Sequence, residues 1–440
     1  MSWITEDTLY IADRSRALIQ WAAILPMSLL HDPPGQEGLS YLTAQMLTRG
    51  AGDRDHAAFH EELDLLGAQL HVGASRSGTT VSGDVLSRNL EAFEGLINDV
   101  LIRPRFEPEE FEKLKRSTLA ELTQVKDHDD ALGMRFFVRE LFQGHPYGRP
   151  PMGTEASIAS LELHQIIAWY EAHFRGPALV RAASGDMTAE RALDSFQKTL
   201  GALPTAPGDR SPPVPLPPAV GGHHVTLVNK PARSQTQVFM GQPTLAASHE
   251  DYLPLLVANT LFGGTFTARL SHEIREKRGW SYGVSSSVAA DRHVGTFTMR
   301  FYPGEEQTVP AIRLADSMLL SLIAAGAEER EVEAAKRFLI QSHPLGLETP
   351  EQELHQRLGL RLLGRDDAWL DRFTDEIAAI DVGQVNRALR AHLRPDQLLT
   401  TVVCTAPNLE DALALWDRPT HTQVLAYDQD PPSAPRPSPQ

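Results

Sequence analysis

The sequence contains little cysteine and too few basic residues to balance its acids. Cys404 is the one cysteine among 440 residues, which excludes an intrachain disulfide and a cysteine-based metal site. A chain of this kind fits a reducing compartment. Lysine and arginine total 41 against 57 aspartates and glutamates, so the formal charge is −16. Because such a surface repels polyanions, we expect neither nucleic acid nor an anionic membrane as a partner.

A basic leader and long apolar runs are also missing. The N-terminus carries Glu6 and Asp7 where a secretory signal would have basic residues followed by an apolar run. The longest uncharged apolar stretch, residues 17–30, is interrupted by Gln20 and Pro26. It is shorter than the roughly 20 residues that a helix needs to span a bilayer. We therefore expect a cytoplasmic protein.

The length of the chain suits two domains of about 200 residues each. Apolar periodicity and turn residues predict a mixture of strands and helices through the first half. The predicted strands are 8–12, 17–25, two within 71–85, and 178–184. The predicted helices are one within 31–50 and then 56–66, 90–101, 107–126, 131–142 and 161–174.

The second half of the chain repeats features of the first. Residues 226–240 have the strand, basic turn and strand of residues 8–22, at an offset of 218, and residues 331–339 match residues 110–118 at an offset of 221. Two matches in the same order at nearly one offset indicate a duplicated domain. Chance similarity between amphipathic segments is the alternative.

Proline-rich segments separate and end the two halves. Residues 201–222 contain seven prolines and four glycines, a composition typical of an extended linker. The last eleven residues contain five prolines and are expected to be disordered. The predicted organisation is an N-terminal domain at 1–200, a linker at 201–222, a C-terminal domain at 223–427 and a tail at 428–440.

One helix, within residues 31–50, carries the most informative pattern. It follows a Pro-Pro-Gly turn and ends before Gly50. Its apolar residues recur at the spacing of a buried helical face: Leu39, Leu42, Met46 and Leu47.

Five segments together resemble landmarks of the pitrilysin/insulinase peptidases, the inverzincins, in family order. They are GLSYLTAQML in the helix, LIRPRFEPEEFEKLKR at 101–116, HPYGRPPMGT at 145–154, SGDM at 184–187 and RLSHEIREKRGWSYGV at 269–284. The resemblance implies an α+β fold of two tandem homologous domains, each a mostly antiparallel sheet with helices packed on one face. In the short-chain branch of this family, such a protein forms half of a clam-shell and a second chain supplies the other half.

The zinc motif of this family is degenerate here. Its His-x-x-Glu-His, which binds zinc and activates water, falls on Tyr41, Ala44 and Gln45. The family's third ligand, a glutamate, corresponds to Glu121, 76 residues beyond Gln45. Tyrosine and glutamine are poor zinc ligands and alanine cannot transfer a proton. We expect no cofactor in this chain, and Glu121 to form a hydrogen bond with Tyr41 or Gln45.

A second family feature is retained. Arg275 and Tyr282 match the arginine/tyrosine pair with which the family holds the substrate backbone beside the zinc. A guanidinium and a phenol can donate hydrogen bonds to a peptide carbonyl and to the oxyanion formed from it. Heterodimeric members divide these parts between two subunits, so the resemblance implies a homologous partner that carries the zinc. The alternative is that Arg275 pairs with an acid such as Glu273 and that Tyr282 is a strand aromatic.

Three classes of function follow from the sequence. The favoured one is a zinc-less subunit of a heterodimeric metallopeptidase that binds a peptide substrate through Arg275 and Tyr282. The second is a proteolytically silent scaffold in a larger complex. The third is an enzyme with an unrecognised site. His56 and His60, four residues apart on a predicted helix, are weak metal-site candidates because the accompanying Glu61 is not spaced as in a metallopeptidase motif.

Overall fold

The computed structural model describes residues 2–5, 7–174, 180–204, 213–217, 219–365 and 368–430. The chain divides into two compact units, each assembled from segments that are distant in the sequence. The first unit comprises Met1–Thr123, Arg149–Pro213 and Leu345–Leu362. The second comprises Gln124–Gly148, Val214–Pro344 and Leu363–Gln440.

The first unit contains a mixed sheet that is mostly antiparallel. Its strands are β1 Ser2–Thr5, β2 Thr8–Ala12, β3 Leu18–Leu25, β4 Gln69–Ala74, β5 Thr79–Leu86 and β6 Val180–Gly185. In the described residues their spatial order is β1-β2-β6-β3-β5-β4. Strands β2 and β6 are parallel, with Leu9 opposite Ala182, and the other neighbouring strands are antiparallel.

The second unit repeats this sheet. Its strands are β7 His223–Asn229, β8 Gln237–Thr244, β9 Val284–Ala289, β10 Gly295–Phe301, β11 Leu399–Cys404 and β12 Pro419–Ala426. The order β12-β7-β11-β8-β10-β9 places β7 to β11 as β2 to β6 are placed in the first sheet. The predicted duplication and the predicted fold class are therefore confirmed. The edge strands differ, because β12 comes from the end of the chain and is parallel to β7.

Helices cover the sheets. They are α1 Leu39–Leu47, α2 His56–Leu66, α3 Leu90–Ile102, α4 Pro108–Val125, α5 Asp129–Leu141, α6 Glu155–Ser160, α7 Leu163–His173, α8 Ala189–Leu200, α9 Tyr252–Asn259, α10 Arg269–Ser271, α11 Thr308–Ala325, α12 Glu329–Ser342, α13 Pro350–Leu362, α14 Ala368–Ala379, α15 Val382–His392 and α16 Pro407–Ala414. Two short π-helical turns, Thr260–Gly264 and His272–Glu276, flank α10. The matched segments 110–118 and 331–339 lie in α4 and α12, equivalent helices of the two halves.

Each sheet also receives one helix from the opposite half of the sequence. Helix α5 packs on the second sheet, where Leu132 and Phe136 form a buried cluster with Val228 and Val403. Gly133 permits this contact, since a Cβ there would lie 2.3 Å from the Phe239 ring. Helix α13 packs in the same way on the first sheet.

The α13 contact covers the sheet face opposite the main helical layer. Leu354 and Leu358 of α13 pack against apolar residues of β2, β3 and β6. Those residues are Leu9, Ile11, Ala22, Ile24, Val180 and Ala182. The main core of this unit lies on the other face and includes Trp21, which is 1% exposed.

Parts of the predicted linker and tail lie outside the described residues. These parts are 205–212 and 218 of the linker and 431–440 of the tail. The stretch Glu305–Ala325, which includes α11, is the one described helix that is long and apolar enough to cross a membrane. Its residues Ile312 and Leu319 are buried in the second core. Core packing accounts for its composition.

Candidate functional site

A buried carboxylate fixes the start of helix α1. Asp32 accepts hydrogen bonds from the backbone N–H groups of Gly38, at 3.1 Å, and Ser40, at 2.9 Å, and from the Ser40 hydroxyl. Gly38 adopts a φ of 95°, which favours glycine. Burial raises the pKa of Asp32 to about 6 despite these hydrogen bonds. Helix α1 therefore has one defined starting point and orientation.

The degenerate motif residues lie at positions i, i+3 and i+4 of α1. Ala44 is 1% exposed within the first core, whereas Tyr41 and Gln45 are half-buried. The Gln45 side-chain amide donates to the Val72 carbonyl of β4 at 3.4 Å. Glu121 projects from α4 and is exposed. Burial raises the pKa of Tyr41, and the negative charge of Glu121 adds to this shift.

In the described residues Glu121 accepts no hydrogen bond from Tyr41 or Gln45, so that prediction was wrong. The Gln45 amide instead donates to the Val72 carbonyl of β4. The Glu121 side chain is exposed, and water solvates an unpaired carboxylate. Of the four positions, Tyr41 and Glu121 lie near each other, since the Glu121 charge acts on Tyr41. They offer one carboxylate and no imidazole or thiolate. This donor set does not fit a tight zinc site.

The second candidate site is built on the segment between α10 and β9. Arg269 donates to Glu331 of α12 at 2.7 Å, and the Ser271 hydroxyl donates to the Val284 carbonyl at 3.2 Å. Ile274 is fully buried. Gly279, with a φ of 65°, turns the chain towards β9. The backbone on both sides of Arg275 and Tyr282 is thus anchored to the second core.

Arg275 lies between two aromatic rings. Its guanidinium carbon is 3.9 Å from the ring centre of Phe266 and 4.3 Å from that of Tyr282. Both rings face solvent, with Phe266 60% and Tyr282 84% exposed. Stacking occupies the faces of a guanidinium, whereas its N–H donors point outward in its plane. The arrangement therefore holds a half-buried cation against two rings, and its donors have no hydrogen-bond partner among the described residues.

The alternative interpretation of this pair does not hold. Glu273 pairs with Lys277 and with Arg278, at 2.5 Å from the latter. Among the residues that the structure describes, no carboxylate pairs with Arg275. Tyr282 precedes β9 and stacks on Arg275 instead of packing on the sheet.

Sequence reasoning missed Phe266. It lies in the segment LFGGTFTARL, which contains none of the sequence-predicted site residues. An aromatic residue near a candidate cation is the available signal, but eight residues, which include α10 and the start of a π-helical turn, separate Phe266 from Arg275. Their contact depends on the path of the chain through α10 and the π-helical turn His272–Glu276.

His56 and His60 form an isolated pair. Their ring centres are 4.5 Å apart on α2. No third histidine, cysteine or acid joins them as a candidate metal ligand in the described part of the chain.

Two family models match consecutive parts of the chain. The model described as insulinase (peptidase family M16) matches residues 29–155. The model described as the peptidase M16 inactive domain matches residues 160–339. The first range contains the degenerate motif and Glu121, and the second contains Arg275 and Tyr282.

Relatives of similar length bear two kinds of name. A Bacillus subtilis protein named uncharacterized zinc protease YmxG is 22% identical over 375 residues, covering 84% of this chain and 90% of that protein. A Helicobacter pylori protein named non-peptidase homolog YmxG is 23% identical over 397 residues, covering 86% and 89%. Similarity at this level extends to proteins named as peptidases and to one named as lacking that activity.

Solved structures share the fold. A peptidase M16 inactive domain from Pseudomonas fluorescens has a TM-score of 0.81 and 24% identity, covering 90% of this chain and 94% of that chain. The periplasmic protease PqqL from Escherichia coli has a TM-score of 0.73 and 17% identity, covering 89% of this chain but 43% of that longer chain. A chain of complex III from Candida albicans has a TM-score of 0.75 and 14% identity, covering 92% and 94%.

Proposed function

Because the chain belongs to peptidase family M16, the insulinase family, we propose that it is the zinc-less subunit of a heterodimeric metallopeptidase. In this proposal it binds the peptide substrate through Arg275 and Tyr282 and forms half of the proteolytic chamber. A homologous partner supplies the zinc. The observation that carries the proposal is the Arg275 guanidinium, which lies over two exposed rings and has no hydrogen-bond partner among the described residues.

The chemistry of this pair suits a peptide backbone. A carbonyl oxygen accepts hydrogen bonds in the plane of a guanidinium, and the Tyr282 phenol adds another donor nearby. Donors that are already in position stabilise an oxyanion better than donors that must first reorganise. The exposed rings of Phe266 and Tyr282 also offer apolar surface to the side chains of a bound peptide.

The first unit supports a division of labour. Its motif positions hold Tyr41, Ala44 and Gln45, which provide neither zinc ligands nor a general base. The zinc chemistry must therefore come from another chain if this protein takes part in peptide cleavage. The fold match to about half of PqqL fits a chain that pairs with a second one of similar size.

A silent scaffold is the second candidate function. Its support is the fold shared with a chain of complex III from Candida albicans, which is part of a larger assembly. A scaffold would not depend on the donors of Arg275 or Tyr282. Variants at these two positions therefore distinguish the two functions.

Affinity purification from the native cell tests the proposed pairing. We expect a homologous chain with an intact His-x-x-Glu-His to co-purify in equal amount, and its gene is first sought beside that of this chain. Mixed in vitro, the two chains should cleave an unstructured peptide that neither cleaves alone. A monodisperse monomer with no homologous partner in the eluate would count against the heterodimer.

A further inference from the structure

We propose that His249, Asp251 and His392 form a binding site for a divalent transition-metal ion such as Zn²⁺ or Ni²⁺. One ligand atom from each residue lies within 4.8 Å of the other two. No other cluster of three such side chains occurs in the described ranges. The site belongs to the second unit, is separate from the degenerate motif and does not depend on the proposed peptidase function.

The three side chains converge from two helix ends. His249 and Asp251 precede α9, and His392 is the last residue of α15. His392 Nε2 lies 2.7 Å from Asp251 Oδ2. The His249 and His392 ring centres are 4.8 Å apart, with the rings at 78°. The Asp251 carboxylate makes no cap hydrogen bond at the start of α9, so in the described residues His392 is the one hydrogen-bond partner of its oxygens.

The backbone that carries these residues is held in place. Gln242, which is 4% exposed, donates to the His392 carbonyl at 2.9 Å and accepts from the Arg394 N–H at 2.7 Å. On the other side, Tyr252 N–H donates to the His249 carbonyl at 3.1 Å. The backbone at His249 and His392 is therefore anchored before an ion binds.

The donor set matches the proposed class of ion. Two imidazoles and one carboxylate suit zinc and nickel, with water completing the coordination. Ligands about 2.1 Å from zinc at tetrahedral angles lie roughly 3.4 Å apart. The His392–Asp251 pair must therefore open slightly, and the proton on His392 Nε2 moves to Nδ1 or to solvent.

His249 has the freedom to complete the site. Its Nδ1 accepts a hydrogen bond from the Asp251 backbone N–H at 3.0 Å. Binding through Nδ1 replaces this hydrogen bond with a bond to the metal. The His249 ring is exposed and Asp251 is only half-buried, so water can take over the lost hydrogen bond.

A bound ion would connect the start of α9 to the end of α15. These helices pack together, although Asp251 and His392 are 141 residues apart in sequence. An ion that binds the folded state alone stabilises it by mass action. At a hundredfold excess over Kd, we expect the second unit to melt roughly 5 °C higher or more.

The experiment is a metal titration of the full chain after treatment with a chelator. Isothermal titration calorimetry with zinc chloride and with nickel chloride should give one ion per chain, accompanied by the rise in melting temperature. His392→Gln should weaken binding at least about tenfold. His249→Gln should do the same, and because its ring is exposed this variant is not expected to disturb folding. His272→Gln is the matched control, since His272 is an exposed histidine paired with Glu276 at 2.7 Å in the same unit.

Two results would overturn the proposal. One is a wild-type chain that binds neither ion. The other is unchanged stoichiometry and affinity in the His249→Gln/His392→Gln double variant. Neither result affects the proposed peptidase role, which is tested by co-purification and peptide cleavage.

Discussion

The guanidinium carbon of Arg275 lies 4.3 Å from the centre of the Tyr282 ring, so the two proposed substrate-binding residues contact each other before any substrate arrives. A stacked guanidinium loses less side-chain entropy when it forms a hydrogen bond. Stacking on the ring also holds the positive charge of the guanidinium at a defined position. The pair is therefore preorganised in the isolated chain.

Removing either donor should lower turnover without disturbing assembly. Tyr282→Phe deletes one hydroxyl and retains the ring that stacks on Arg275, and Arg275→Lys keeps the charge but loses the planar fork. Loss of one oxyanion donor costs on the order of 3 kcal/mol, or about a hundredfold in rate. The measurement is peptide cleavage by the reconstituted heterodimer at matched zinc occupancy. Near wild-type cleavage by both variants would favour the scaffold function.

Phe266→Ala should weaken catalysis less than loss of a donor. It frees one face of the Arg275 guanidinium, and an exposed cation–π contact contributes about 0.5–1 kcal/mol. We expect kcat/KM to fall roughly two- to fivefold, with unfolding unchanged because the ring is 60% exposed. Phe266→Tyr restores an aromatic face and should restore kcat/KM. Equal activity in the alanine and tyrosine variants would assign Phe266 no positioning role.

Ala44→Glu should destabilise the chain although it restores the family's glutamate. Ala44 is 1% exposed, so the new carboxylate would be buried without a partner. We expect a loss of about 2 kcal/mol or more in the free energy of unfolding, measured with urea. The neighbouring half-buried position supplies the control, since Gln45→Glu should cost less than about 1 kcal/mol. An unchanged urea midpoint for Ala44→Glu would contradict this prediction, because it would mean that a carboxylate at position 44 can reach water.

Asp32 should make stability depend on pH between about 4 and 6. Its folded pKa of about 6 exceeds the ordinary value of 3.8 because of burial, so the folded state binds the proton more tightly. The contribution of Asp32 to the free energy of unfolding is complete below pH 4 and is lost as the pH rises through 6. The loss is at most about 3 kcal/mol. Asp32→Asn should flatten this part of the profile of unfolding free energy against pH.

Asp13→Asn is the control for this measurement. Asp13 accepts hydrogen bonds from Ser15 that lower its pKa, so its titration lies below the same window. A wild-type profile that is flat from pH 4 to 6, or one that Asp32→Asn leaves unchanged, would contradict the prediction.

The degenerate motif should hold no zinc. With the His249/His392 cluster removed in the double variant, elemental analysis after dialysis should find no stoichiometric metal, because Tyr41, Gln45 and Glu121 lack imidazole and thiolate groups. One zinc per chain remaining in that variant would refute the prediction. Further substitution of His56 and His60 would then show whether α2 or the motif holds it.

Local patterns predicted most of the secondary structure. The helix predicted at 161–174 is Leu163–His173, shortened because Glu162 caps its start. The predicted strand region 71–85 divides into β4 and β5 around a turn. These elements follow from periodicity and caps, which act over a few residues.

Contacts between segments that are distant in the sequence were harder to predict. Amphipathic spacing shows that α5 and α13 each bury a face, but not which sheet receives it. The family resemblance predicted that Glu121 lies near Tyr41. It did not show that the Glu121 side chain is exposed to water and forms no hydrogen bond with Tyr41 in the described residues. The His249, Asp251 and His392 cluster joins residues 141 positions apart, and no local pattern marks it. The cytoplasmic location remains a prediction.

The helix placements have a consequence for synthesis on the ribosome. Strands β2, β3 and β6 emerge early, but α13, which shields one of their faces, is complete only at Leu362. At about 5–20 residues per second, that apolar face stays bare for roughly ten to thirty seconds after β6 has formed. The nascent chain therefore presents a chaperone-binding surface during this interval. Expressing the two halves as separate polypeptides would make the exposure permanent.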